Sequence, residues 1–143
     1  MNAVLFLLRV ALGALLIVAG LLKLRDPTAF ATEIANYQLL PTGAAMLAAV
    51  LPAIEVVIGL SLIALSRAWR RGAAAAALAL FVTFTGAVAS AYFRRINIDC
   101  GCFGTGGGPI SALTLARNLT LTAGCLILLR FDRAPAPGAR LSG

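Results

Sequence analysis

AAMLAAVLPAIEVVIGLSLIAL, residues 44–65, is the stretch that decides the fold, because Glu55 is its one charged residue. A hydrocarbon core of about 30 Å is crossed by about 20 apolar residues in a helix. The stretch therefore predicts a membrane-spanning helix, and three others of similar character lie at about residues 3–24, 73–93 and 110–131. Since 61% of the 143 residues are hydrophobic and only 12% are charged, we expect an all-α protein. We predict an integral membrane four-helix bundle forming one domain over residues 1–131.

The segment between the first two spans has the pattern of a short helix lying in the membrane interface. Asp26 and Pro27 form an N-cap followed by proline at the first helical position. Phe30, Ile34 and Tyr37 then recur at helical spacing, over a length too short to span. The far end of the chain, residues 132–143, is rich in Pro, Ala and Gly, which predicts a disordered tail.

Charge predicts the orientation of the spans. The net charge is +7, but the basic residues flank apolar spans, so we expect lipid rather than nucleic acid as their partner. One side carries six of them, against four on the other. The richer side is predicted to be cytoplasmic, with both termini there. The richer set is Arg67, Arg70, Arg71, Arg130, Arg133 and Arg140, and the poorer set is Lys23, Arg25, Arg94 and Arg95.

A cysteine pair is the main candidate for chemistry. Cys100 and Cys102 stand on either side of Gly101 in a polar, glycine-rich gap that the orientation places in the periplasm or at the cell exterior. A disulfide across so short a ring is strained, and strained, exposed disulfides tend to be redox-active. Asp99 would raise the pKa of the thiols by charge repulsion. A structural disulfide and a soft-metal site for Cu(I) or Hg(II) are the alternatives, and the lack of histidine removes most other metal sites.

Glu55 is the second candidate, because an unpaired carboxylate within a span is costly. At about 1.5 Å of rise per residue, Arg9 and Arg117 lie at depths from which either could pair with it. One reading is a structural ion pair, and the other is a proton relay or a group that contacts a quinone.

The fourth span carries a polar stripe on one face. In lipid this stripe must face other helices, either for interhelical hydrogen bonds or to line a polar cavity. Cys125 is too deep to join the pair, which predicts a packed core thiol. The stripe is Ser111, Thr114, Asn118, Thr122 and Cys125.

The chain resembles the MauE and DoxX-type membrane proteins over nearly its whole length up to Phe131. The loop DCGCFG, residues 99–104, is similar to the MauE branch in particular. The other matching segments are AGLLKLRDP (19–27) with Phe30, LLP (39–41), LPAIE (51–55) with Gly59 and Leu60, and RNL (117–119).

The resemblance implies a four-helix protein of the bacterial inner membrane. It also implies a role beside a periplasmic thioredoxin-like protein in forming the disulfides of an amine dehydrogenase of methylamine utilisation. DoxX relatives imply thiol redox chemistry and, in some cases, quinone-coupled sulfur chemistry, which makes a quinone the one candidate cofactor. The chain has one cysteine pair, so it lacks the two-pair relay of DsbB-like and vitamin K epoxide reductase-like oxidases.

Three functions follow as hypotheses. The first is thiol–disulfide exchange by Cys100 and Cys102 with a thioredoxin-like partner, supported by Asp99, Gly101 and the polar residues of the spans, namely Glu55, Arg9, Arg117 and Asn118. The second is an accessory subunit, without catalysis, of a larger respiratory or photosynthetic membrane complex. The third is soft-metal handling. On the first hypothesis the protein is an oxidoreductase, and on the other two it need not be an enzyme.

Overall fold

The computed structural model describes residues 2–40, 42–64, 66–98 and 108–132. These residues form five helices, and four of them are long and apolar enough to cross a membrane. The all-α prediction of four spans with a short helix between the first two is confirmed. The helices are α1 (Asn2–Arg25), α2 (Pro27–Asn36), α3 (Ala44–Ala64), α4 (Arg67–Phe93) and α5 (Ala112–Phe131).

The short helix α2 begins as its sequence predicts. The Asp26 carboxylate accepts a hydrogen bond from the Ala29 backbone N–H at 3.0 Å, and Pro27 is the first helical residue. This cap satisfies an amide that the helix itself leaves without a partner. Phe30 is buried against the bundle, while Gln38 has a positive φ of 53° just after the helix. The turn there sends the chain back toward α3.

The four long helices form a ring in the order α1, α3, α4, α5, and α5 returns to α1. The closest packing is between α1 and α3, where a Cβ on Gly13 would lie 2.8 Å from the carbonyl oxygen of Gly59. One on Gly20 would lie 2.7 Å from the carbonyl oxygen of Pro52. Only glycine allows the backbones to approach this closely, as is typical of helices in lipid.

The bundle has two ends, which are named here by what lies at each. At the α2 end, α1 and α4 finish, α2 packs mainly against α3, and α5 begins. At the terminal end, the start of α1 lies close to the end of α5, where Arg9 and Asp132 are 3.8 Å apart. Asp132 is the one residue of the predicted tail that is described; the rest of the tail lies outside the described residues.

The third span starts earlier than predicted. The apolar pattern predicts this span at about residues 73–93, whereas α4 begins at Arg67 with Ser66 as its N-cap. The Trp69 N–H donates to the Ser66 carbonyl at 3.1 Å. Arginine has high helix propensity, so the basic turn continues the helix beyond its apolar part.

Candidate functional site

The cysteine pair lies outside the described residues. Asp99, Cys100, Gly101 and Cys102 all belong to the segment 99–107. Both neighbours of that segment are described, and the Ile110 N–H donates to the Ile98 carbonyl at 3.0 Å. The segment therefore begins and ends at one point on the α2 end of the bundle.

Arg94 links this point to α2. It follows α4, and its guanidinium donates to the carbonyl of Tyr37 at the end of α2. The same guanidinium donates through Nε to the Ser90 hydroxyl at 3.2 Å. The two contacts fix the end of α2 to the end of α4, a few residues before the cysteines in the chain.

A buried ion pair lies inside the bundle, between α1 and α3. The Lys23 ammonium is 2.5 Å from Glu55 Oε1, and each residue is 1% exposed. The predicted ion pair of Glu55 therefore exists, but its expected partners are wrong. Glu55 pairs with Lys23, not with Arg9 or Arg117.

The backbone approach at Gly20 is the reason for this pairing. Gly20 precedes Lys23 by three residues, so both lie on the face of α1 that meets α3. A Cβ at Gly20 would be 3.3 Å from the Cβ of Glu55. The sequence signal for this pair was Lys23 one turn after Gly20. We instead interpreted Lys23 as a charge that flanks the membrane.

Two aromatic rings complete the surroundings of Lys23. Its ammonium nitrogen is 4.7 Å from the centre of the Phe84 ring and 5.1 Å from that of Phe30. Cations are attracted to the faces of aromatic rings at such distances. The charge is thus held by a carboxylate and two rings from three different helices.

Arg9 lies at the terminal end, away from Glu55. It pairs with Asp132 at 3.8 Å and stacks over the Phe6 ring, with 5.2 Å to the ring centre. Arg117 is partly buried on α5. The structure therefore does not bring Arg9 and the buried pair into one site.

Most members of the polar stripe of α5 face other helices, as predicted for the whole stripe. Thr114, Asn118 and Cys125 are buried. The Thr122 hydroxyl lies 3.1 Å from that of Thr85 on α4, within hydrogen-bond distance. Ser111 is exposed and instead caps α5 by accepting from the Thr114 N–H. Cys125 is a free, fully buried thiol, which confirms the prediction of a core residue.

A cavity of about 330 Å³ lies beneath α2, between it, α3 and α4. Small-molecule sites in proteins are mostly apolar cavities of about 300–1,000 Å³ with a few polar groups. This one has the rings of Phe30, Tyr37 and Phe84, with Glu33 and Thr83 as polar groups. The remaining lining residues are aliphatic: Ile34, Leu39, Leu40, Leu47, Leu51, Leu80 and Ala87.

Tyr37 stays neutral in this cavity over a wide pH range. Burial, together with the nearby charge of Glu33, raises the pKa of its hydroxyl to about 12. The neutral phenol keeps a proton that it can donate in a hydrogen bond.

Comparison with known proteins agrees with the resemblance seen in the sequence. The family described as "Methylamine utilisation protein MauE" matches residues 1–131. A curated relative named "Methylamine utilization protein MauE", from Paracoccus denitrificans, is 38% identical and aligns with 98% of this chain and 76% of its own length. No solved structure matches the chain. With four candidate spans and a family match over nearly its full length, the chain belongs to the MauE family of membrane proteins.

Proposed function

We propose that this protein acts in methylamine utilisation as a thiol–disulfide exchange protein of the bacterial inner membrane. Its Cys100–Cys102 pair would exchange with a periplasmic thioredoxin-like protein. The observation that carries the proposal is the Cys-Gly-Cys sequence in a chain of the MauE family. The hydrogen bond between Ile98 and Ile110 supports it, because it anchors both ends of the cysteine segment at one end of the bundle.

The exchange in the oxidising direction conserves atoms and electrons. A thiolate of the partner attacks the Cys100–Cys102 disulfide and forms a mixed disulfide with one sulfur, releasing the other as a thiolate. The partner's second thiolate then attacks the mixed disulfide, so that the partner leaves oxidised and this chain keeps two thiols. Two electrons and two protons pass from the partner to the chain. Because thiolate is the attacking species, the rate rises with pH.

The cavity beneath α2 is where we propose that a membrane quinone binds. The Phe30, Tyr37 and Phe84 rings provide an apolar, aromatic wall, and the neutral Tyr37 hydroxyl is a donor for a carbonyl oxygen. The quinone would supply an acceptor for the two electrons and two protons that are released when the dithiol closes to a disulfide. Arg94 supports this location, because its contact with the Tyr37 carbonyl links the cavity wall to the end of α4.

Serine variants of the cysteines test the exchange. We expect Cys100→Ser and Cys102→Ser to insert into the membrane but to abolish methylamine-dependent growth and leave the thioredoxin-like partner reduced. Thiol alkylation of periplasmic extracts measures the redox state of the partner. Cys125→Ser is the matched control, because its thiol is buried in the core, and it should retain function. Normal partner oxidation in both serine variants of the pair would reject the proposal and favour an accessory role.

A cavity-filling variant tests the quinone site separately. Ala87 lines the cavity, whereas Ala79 is exposed on the same helix. We expect Ala87→Phe to raise the concentration of a short-chain quinone needed to reoxidise the purified dithiol protein, and Ala79→Phe to leave it unchanged. Equal quinone dependence in the two variants would place the acceptor elsewhere while leaving the exchange reaction intact.

A further inference from the structure

Three polar side chains from three helices meet inside the bundle around one small cavity. They are Lys23 of α1, Glu55 of α3 and Asn118 of α5, and their residues are 1%, 1% and 3% exposed. The cavity has a volume of about 20 Å³. Its other walls are apolar, formed by Leu15, Leu16, Ala19, Phe81, Phe84 and Leu121.

Two polar atoms of the residues that line this cavity need a partner. Lys23 occupies Glu55 Oε1, but Glu55 Oε2 and Asn118 Nδ2 are buried and have no hydrogen-bond partner among the described residues. Buried polar atoms are almost always hydrogen-bonded, to protein or to ordered water. One of these atoms is an acceptor and the other a donor, so a single molecule that both donates and accepts would satisfy the two.

The volume of the cavity limits which molecule can bind there. A water needs a cavity of at least about 10–15 Å³ and two to four polar partners. The observed 20 Å³ therefore holds one water and nothing larger. A metal cation is disfavoured because the Lys23 ammonium lies at the same cavity.

We propose that one ordered water binds in this cavity, donating to Glu55 Oε2 and accepting from Asn118 Nδ2. The water joins α5 to the ion pair of α1 and α3, so that three helices share one polar centre. Asn118 is then a positioning residue for the Glu55 carboxylate, which it holds through the water. The inference rests on these residues alone and does not depend on the chemistry of the cysteines.

X-ray radiolysis footprinting tests the proposal, because hydroxyl radicals formed from a bound water oxidise the side chains beside it. Leu16 lines the cavity, while Leu62 and Leu128 do not, and all three are no more than 2% exposed. We expect Leu16 to be oxidised several-fold faster than either control leucine in the purified wild-type protein. Equal, slow oxidation of the three leucines would overturn the proposal.

Asn118→Leu provides the matched variant, because it removes the amide and fills its space. Oxidation of Leu16 should fall to the level of Leu62 and Leu128 in this variant. Unchanged fast oxidation of Leu16, with the control leucines still slow, would show that Asn118 does not hold the water and would overturn its assigned role. Should the variant fail to fold, the ratio of the oxidation rate of Leu16 to that of the control leucines in the wild-type protein tests the proposal alone.

Discussion

Replacing Lys23 with methionine is expected to destabilise the bundle strongly. The change leaves the Glu55 carboxylate 1% exposed and without the Lys23 ammonium, in a cavity whose other lining residues are uncharged. Removing one partner of a buried ion pair costs about 3–5 kcal/mol, because the remaining charge is left uncompensated. Replacing both partners with apolar residues of similar size removes that penalty, and such exchanges are often neutral. We therefore expect the double variant Lys23→Met/Glu55→Leu to be much more stable than Lys23→Met.

The assay is reversible unfolding of the purified proteins in mixed dodecyl maltoside and SDS, which gives the free energy of unfolding. Arg25→Met is the matched control, because Arg25 lies two residues further along α1 and is exposed. Its effect should remain within about 0.5 kcal/mol, as for most surface substitutions. If Lys23→Met cost no more than Arg25→Met, or if the double variant were as unstable as the two single changes added, the reasoning about the pair would be refuted.

Three smaller predictions concern packing, hydrogen bonding and ionisation. Gly20→Ala should lower the thermal stability measured by size-exclusion chromatography, because its Cβ would lie 2.7 Å from a backbone oxygen of α3; Gly72→Ala, which meets open space, should not. Thr85→Val should cost about 0.6 kcal/mol of unfolding free energy, the average for interhelical hydrogen bonds in lipid, and adding Thr122→Val should cost less than the same amount again. The absorbance of the Tyr37 phenolate, taken as the difference from Tyr37→Phe, should have its midpoint near pH 12; a midpoint near 10 would contradict its burial. Because the folded protein favours the neutral form of Tyr37, the contribution of this residue to the free energy of unfolding is complete below about pH 10. That contribution is lost as the pH rises to about 12.

The architecture could be predicted from the sequence because the bilayer imposes a simple constraint. Length and apolar composition identified the four spans, and the Asp26–Pro27 cap identified the start of α2. The ends of helices in polar segments are harder to predict, because a basic segment beside a span can either continue the helix or form a loop. This is why the predicted start of α4 at Ala73 was six residues later than its start at Arg67.

The inner polar residues could be predicted in kind but not in pairing. A carboxylate at Glu55 required a cation, and depth along each helix was the one measure available from the sequence. That measure omits how closely two helices approach, which Gly20 decides by allowing α1 to touch α3 beside Lys23. The face of α5 that carries Asn118 was predictable, because a polar stripe in lipid must turn inward.

Trapping of a mixed disulfide tests the central claim most directly. In the variant Cys102→Ser, expressed in cells with its periplasmic partners, the Cys100 thiolate attacks the disulfide of an oxidised partner, which is the reverse of the final exchange step. One partner sulfur is then bonded to Cys100 and the other leaves as a thiolate, and quenching with acid and alkylating agent preserves this mixed disulfide. The complementary variant Cys100→Ser and the double variant serve as the matched comparison and the control. We expect a reductant-sensitive adduct with a thioredoxin-like protein in one or both single variants and none in the double variant, which retains only Cys125. No adduct in either single variant, with the protein correctly inserted in the membrane, would contradict the proposed exchange.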